Sequence, residues 1–153
     1  MKIDIYIIDK KGKKELYDPL IEHYRKLCRP WAQVAVHELF TKEIAKAQEQ
    51  SPAAAQRAYG AALERYRPGA YNIVLDPEGE AVDSHRFAKL LEGHSTIRFY
   101  IGGAYGFERD FLRHSDKTVS FGRITLSHKL VKVVLMEQIF RGLTIINNHP
   151  YHK

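Results

Sequence analysis

The sequence has a single cysteine, Cys28, so no disulfide can close within the chain. Nowhere do 18 apolar residues run together, which excludes a membrane-spanning helix. The first residues, MKIDIYIIDKKGKK, hold only a short apolar run broken by Asp4. They lack the apolar core and small-residue cleavage site of a secretory leader. That stretch reads as the first strand of the fold, and the expectation is a cytoplasmic protein with Cys28 in its core. Three catalytic signatures are also missing. There is no G-x-G-x-x-G in a first strand–helix unit, no G-x-x-x-x-G-K-[ST], and no G-x-S-x-G elbow. Nicotinamide and flavin oxidoreductases, P-loop NTPases and serine hydrolases are therefore poor readings. His149 and His152 flank Pro150-Tyr151 with no cysteine or second histidine pair beside them, so no metal is expected.

What is present suits one domain, residues 1–153, with a real core: 44% of the chain is hydrophobic, and no repeat, low-complexity segment or linker interrupts it. The 24 Lys+Arg against 18 Asp+Glu give a net charge of +6, which suits a polyanionic partner such as RNA or DNA.

Strand and helix patterns alternate. Residues 2–9 (KIDIYIID), 33–40 (QVAVHELF), 70–76 (AYNIVLD), 96–101 (TIRFYI) and 118–121 read as strands. Residues 15–27 place Leu16, Leu20, Tyr24 and Leu27 at helical spacing. Thr41 can cap a helix over 42–50, and Ser51-Pro52 restarts one that runs to residue 66. Turns are expected at 67–69 and 77–79. Further helices are expected at 83–92, closed by Gly93, at 108–114, and from His128 to about Leu143. This order argues for an α/β fold with a mostly parallel sheet flanked by helices. Ligands of such sheets bind beyond the carboxyl ends of the strands, which points to the loops after Asp76, Ile101 and Phe121.

The last helix, HKLVKVVLMEQIFRGL, has apolar residues at 130, 131, 133–136, 139, 140 and 143. That is wider than one core-facing stripe and calls for cover on two sides, the second being a partner subunit in a homodimer or more of the same chain. Lys129, Lys132 and Arg141 are the cations on its polar strip. After it, Tyr151, His152 and Lys153 combine groups that meet phosphate with rings that stack on unpaired bases.

Three segments in order, IGGAYGF, SFGRITLSHKLVKVVLMEQIFRG and NHPYHK, resemble the ribosomal RNA large subunit methyltransferase H family of the SPOUT class. The resemblance covers essentially the whole chain. It implies an α/β fold whose C-terminal segment is threaded into a trefoil knot, and a homodimer with the cofactor site in that knot near the partner. It further implies S-adenosylmethionine as cofactor and methylation at N3 of a pseudouridine in 23S ribosomal RNA on the assembled ribosome. Carried over by motif position, the cofactor contacts are Leu75, Gly102, Phe121, Gly122, Arg123, Ile124, Thr125 and Leu126. Many relatives carry proline before the histidine that opens the last helix; here Ser127 precedes His128, and serine is itself a good N-cap. Relatives also vary at Ala104-Tyr105.

Methyl transfer from a sulfonium mainly requires methyl carbon and nitrogen to be held about 3 Å apart and aligned. The N3 proton must also leave. His128, Arg141, His149 and His152 are the candidates to help, as a base or as cations favouring the anionic base. Lys129, Lys132, Tyr151, His152 and Lys153 are the candidate RNA contacts, with the tail reaching across a dimer. Two rivals share the fold: an RNA-binding module without catalysis, and a methyltransferase acting on another RNA such as transfer RNA.

Overall fold

From Ile3 to Ile8 every residue of the first strand is buried, so both faces of that strand must be covered. The computed structural model describes residues 1–12 and 16–153. The elements in chain order are β1 (Lys2–Ile8), α1 (Asp18–Cys28), β2 (Gln33–Leu39), α2 (Lys42–Gln50), α3 (Pro52–Glu64) and β3 (Tyr71–Ala81). They continue with α4 (Ser84–Leu91), β4 (Thr96–Ile101), α5 (Arg109–Arg113), β5 (Lys117–Ser120) and α6 (His128–Ile146). The strands form one sheet in the order β2-β1-β4-β3-β5, with every pairing parallel. The α/β expectation holds.

The period of two along each strand divides the core in two. Ile3, Ile5, Ile73 and Phe99 face one side, where Cys28 of α1, Phe87 and Leu91 of α4, and Leu135, Met136 and Ile139 of α6 cover them. Tyr6, Ile8, Val74 and Tyr100 face the other, against Ile44 of α2, Tyr59 and Leu63 of α3, and Phe111 of α5. Each such side chain removed from water contributes roughly 1.5–3 kcal/mol before entropy is counted.

The helix starts follow from their caps. Thr41 Oγ1 accepts from Ile44 N at 3.1 Å, Ser51 Oγ from Ala54 N at 3.0 Å, and Asp83 Oδ1 from Arg86 N at 2.7 Å. Ser127 Oγ accepts from Leu130 N at 3.3 Å, so serine does open the last helix. Gly93 follows α4 with φ +79°, the left-handed position that a C-terminal glycine fills.

Some expectations shift. α1 begins at Asp18, with Pro19 in its first turn; Glu15, expected to start it, lies outside the described residues. Leu16 is 82% exposed and Leu20 is also exposed, so of the four spaced apolar residues only Tyr24 and Leu27 pack on the core. The turn expected at 77–79 is an irregularity inside β3. Asp76 Oδ1 accepts from Glu78 N at 2.9 Å, and the strand then rejoins β5 at Glu80 and Ala81. α6 runs three residues past Leu143, to Ile146.

α6 lies against α4 and α1. Gly142 permits the α4 contact: a Cβ there would stand 2.9 Å from Leu91 Cδ1 and 3.3 Å from Ala88 Cα. Lys132 is a correction. Expected on a strip facing RNA, it is 2% exposed and its Nζ lies 3.0 Å from Glu38 Oε1, a side chain only 12% exposed. The four-carbon stem reaches under the sheet's β2 side, and the ammonium ends on a carboxylate instead of at the surface.

Two stability changes follow. Gly142→Leu should lower the urea-unfolding free energy by about 1–3 kcal/mol through overpacking against α4. Lys132→Met should lower it by about 3 kcal/mol, because the Glu38 carboxylate is left half-buried without its cation, and the K132M/E38L double variant should recover most of that loss.

Candidate active site at the ends of β3, β4 and β5

Leu75 ends the regular part of β3, Ile101 ends β4, and Phe121 follows β5. Because the three strands are neighbours and parallel, their following loops converge on one edge of the sheet. There they enclose a cleft of about 420 Å³. Leu75, Asp76, Gly102, Gly103, Phe121, Gly122, Ile124, Thr125, Leu126 and His128 are among its walls. Seven of the eight positions carried over as cofactor contacts therefore meet in one place. Arg123 does not line the cleft; its side is turned to solvent.

Glycine shapes this cleft where backbone must come close. A Cβ on Gly103 would lie 2.8 Å from the Tyr59 hydroxyl and 3.0 Å from Ile8 Cγ2. The loop is also pinned from behind, since Gln56 Nε2 donates to Tyr105 O at 2.8 Å and Tyr59 donates to Gln48. Gly122 has φ +124°, a conformation closed to residues with a side chain. Ser120 joins the β3 and β5 loops: its Oγ is 3.0 Å from Pro77 O and 2.8 Å from Gly122 O, and it accepts from Gly122 N at 3.1 Å. Sequence reasoning passed over Ser120 and Gly103. The double glycine was the available signal for Gly103; nothing marks Ser120 until β3 and β5 are paired.

Asp9 was also missed. It follows β1 and is 8% exposed. Its Oδ1 lies 3.2 Å from His128 Nε2 and its Oδ2 lies 3.0 Å from Lys129 Nζ. Burial opposes its charge, but the hydrogen bonds from Lys129 and His128 outweigh this and hold the carboxyl below its ordinary value. An ionised Asp9 only accepts, so Nε2 of His128 carries the hydrogen and Nδ1 of a neutral ring is left to take a proton. Lys129, a candidate RNA contact, holds Asp9 and stays one-third exposed.

Arg141, His149 and His152 are elsewhere. Thirteen residues of helix separate Arg141 from His128, about 20 Å. The chain after α6 turns back on itself. Asn148 has φ +54°, its N–H donates to Ile145 O at 3.2 Å, and the N–H of His149 donates to Thr144 O at 2.9 Å. These are the two crossed bonds of a Schellman close, with asparagine in the left-handed position. Tyr151 then packs on Phe140 with ring centroids 4.6 Å apart and donates its hydroxyl to Glu137 Oε1 at 3.1 Å. Burial first, and the Glu137 carboxylate second, push its phenol up to about 12, so it stays protonated. Arg141 donates Nε–H to Glu137 Oε1 at 2.9 Å, sits 4.8 Å from the Tyr151 ring centroid, and has Nη1 3.2 Å from His152 Nδ1. His149 meets Trp31 and His152 meets His85, both edge-on. The tail is thus docked along the far end of its own α6, with Lys153 exposed. Within one chain, the candidates for proton transfer form two groups, one at each end of α6.

Residues 1–152 match the family model described as "Predicted SPOUT methyltransferase". The chain is 68% identical over 153 residues to the ribosomal RNA large subunit methyltransferase H of Sulfurovum sp. (strain NBC37-1), covering 100% of both. It is 47% identical to the protein of that name from Wolinella succinogenes and 45% identical to that from Aliarcobacter butzleri, again covering 100% of both chains in each case. With its glycine loop, its convergent strand ends and this full-length match, the chain belongs to the SPOUT methyltransferase family.

Proposed function

We propose that this protein is an S-adenosylmethionine-dependent methyltransferase acting at N3 of a pseudouridine in 23S ribosomal RNA of the assembled ribosome. The full-length similarity to the large subunit methyltransferase H proteins supports the substrate. The observation that carries the cofactor is the charge of the cleft. Among its lining residues stand one carboxylate, Asp76, and no lysine or arginine. Such a pocket accepts a cationic ligand and repels nothing in it. Its apolar walls, Leu75, Phe121, Ile124 and Leu126, suit an adenine ring, and the backbone amides of the glycine loop suit its polar edge.

When bound, the cofactor supplies a methyl group already activated by a positively charged sulfur. The residues of the chain then orient and deprotonate. The glycine loop and the 121–126 loop hold the donor's position, which is the main requirement of an in-line displacement. His128 borders the cleft with Nε2–H fixed on Asp9, and its Nδ1 receives the proton that N3 of the base gives up.

The active form is a homodimer in the cytoplasm, and its C-terminal segment is threaded as the family's trefoil knot. Two features support the dimer. Leu130 is exposed on α6, and Ile124, at 79%, is among the most exposed apolar side chains. The distance of about 20 Å between His128 and Arg141 also leaves the docked tail idle within its own chain. A two-fold axis that sets the α6 helices side by side and antiparallel lays the tail of one protomer beside the cleft of its partner. There Arg141, His149, Tyr151, His152 and Lys153 meet the RNA.

Calorimetry should show S-adenosylmethionine binding one per protomer, and mass spectrometry should find the methylated base in ribosomes lacking it once the protein is added. No heat at saturating donor would remove the reading. His128→Ala should lower the turnover number roughly 10²–10⁴-fold, with donor affinity little changed. Deleting residues 148–153 should leave donor binding intact while methylation falls steeply. Mixing the tail-deleted protein with His128→Ala protein should restore activity, since mixed dimers would hold one complete site; failure to complement would place the tail outside the partner's cleft.

A further inference from the structure

A second cavity, of about 590 Å³, adjoins the donor cleft on the same edge of the sheet. The strand order explains the pair. The donor cleft lies over the ends of β4, β3 and β5, and the second cavity lies over the ends of β2, β1 and β4. The glycine loop after β4 divides them, and Gly103, Ala104 and His128 border both. Any group held in the second cavity is therefore next to whatever the first one holds.

The chemistry of the two walls is opposite. Among the described residues, the donor cleft has no lysine or arginine, whereas the second cavity has Lys10, Lys11 and Lys129 against a single carboxylate, Asp9. Asp9 is matched by Lys129, so Lys10 and Lys11 are the surplus. Phe40, which follows β2, forms an aromatic wall, and the ammonium of Lys10 rests over its ring at 4.9 Å from the centroid. At an exposed site such a contact is weak, and the ammonium can swing to a phosphate and leave the ring face open. Cations at a rim with an aromatic surface behind them are the combination that holds single-stranded nucleic acid: charge takes the phosphate, and the ring takes the base.

We infer that the second cavity receives the acceptor nucleotide, a uridine-type residue turned out of the RNA. The base lies against Phe40, its phosphate lies at Lys10 and Lys11, and its reacting edge points to His128. This rests on the methyltransferase reading for the identity of the base, but the cavity, its cations and its ring stand independently of it. The arrangement gives Asp9 a positioning role. By gripping His128 and Lys129 together, it fixes the wall that the two cavities share. An everted base also needs a chamber of its own, since atoms inside a stacked helix are out of reach.

The test is a titration of the full-length, isotope-labelled protein with uridine 5′-monophosphate, followed by amide shifts, beside calorimetry with S-adenosylmethionine. Shifts are expected at Lys11, Gly12, Phe40, Gln48 and Gly103. The K10E/K11E variant should bind the nucleotide about tenfold more weakly. Phe40→Ala should lose about tenfold as well, the size of one base–aromatic stack. Both variants should keep donor affinity within about twofold, as the two cavities are separate. Nucleotide shifts confined to the donor cleft, no shifts at millimolar nucleotide, or undiminished binding in K10E/K11E would each overturn the proposal. Absence of donor heat with these shifts intact would instead sink the methyltransferase reading and leave the nucleotide site standing.

Discussion

Between the end of β4 and the hydroxyl of Tyr59 there is room for a backbone and nothing more. A Cβ at Gly103 would approach Tyr59 to 2.8 Å and Ile8 Cγ2 to 3.0 Å. Tyr59 is fully buried in the core between the sheet and α3, so it cannot yield. The loop is thereby seated against the second core cluster, and its other surface becomes the partition between two cavities. The position of that partition sets the extent of both cavities. β4 is the strand that makes this possible, because it pairs with β1 on one side and β3 on the other.

α6 links the two groups of candidate residues. Its first turn presents His128 to both cavities and ties Lys129 to Asp9. Its middle and later turns are buried against α4 and α1, with Gly142 allowing the approach to α4. Its second half also carries Glu137 and Arg141, on which the tail is moored. A rigid helix so placed fixes the span between the donor cleft and the tail at the rise of a helix, about 1.5 Å per residue. That span separates groups that the sequence alone had placed in one set.

How far the fold was legible depended on locality. The strands, the order of elements and the caps at Thr41, Ser51 and Ser127 were readable because each is decided within a few residues. The three loops of the donor cleft followed from parallel topology and from the family motifs, and seven of eight expected positions line it. Arg123 alone of the eight stands outside the lining, exposed to solvent. Lys132 failed because the sequence shows no cue that Glu38, 94 residues earlier, waits beneath the helix. Asp9 and Ser120 were illegible for the same reason: their contacts, to the start of α6 and to the β3 loop, join segments far apart in the chain. The span of α6 was there to be computed, yet the docking of the tail was not, since it requires Tyr151 to find Phe140.

The crossed hydrogen bonds around Asn148 lower the conformational freedom of the last residues. A loose tail would have to surrender many conformations on meeting a second molecule, at an entropic cost of about 1–2 kcal/mol for each residue immobilised. Here the left-handed asparagine and the Tyr151–Phe140 contact have already chosen the direction of the last residues. The far end of α6 is thus a preformed surface, which a partner would meet as a rigid body and not as a loose segment.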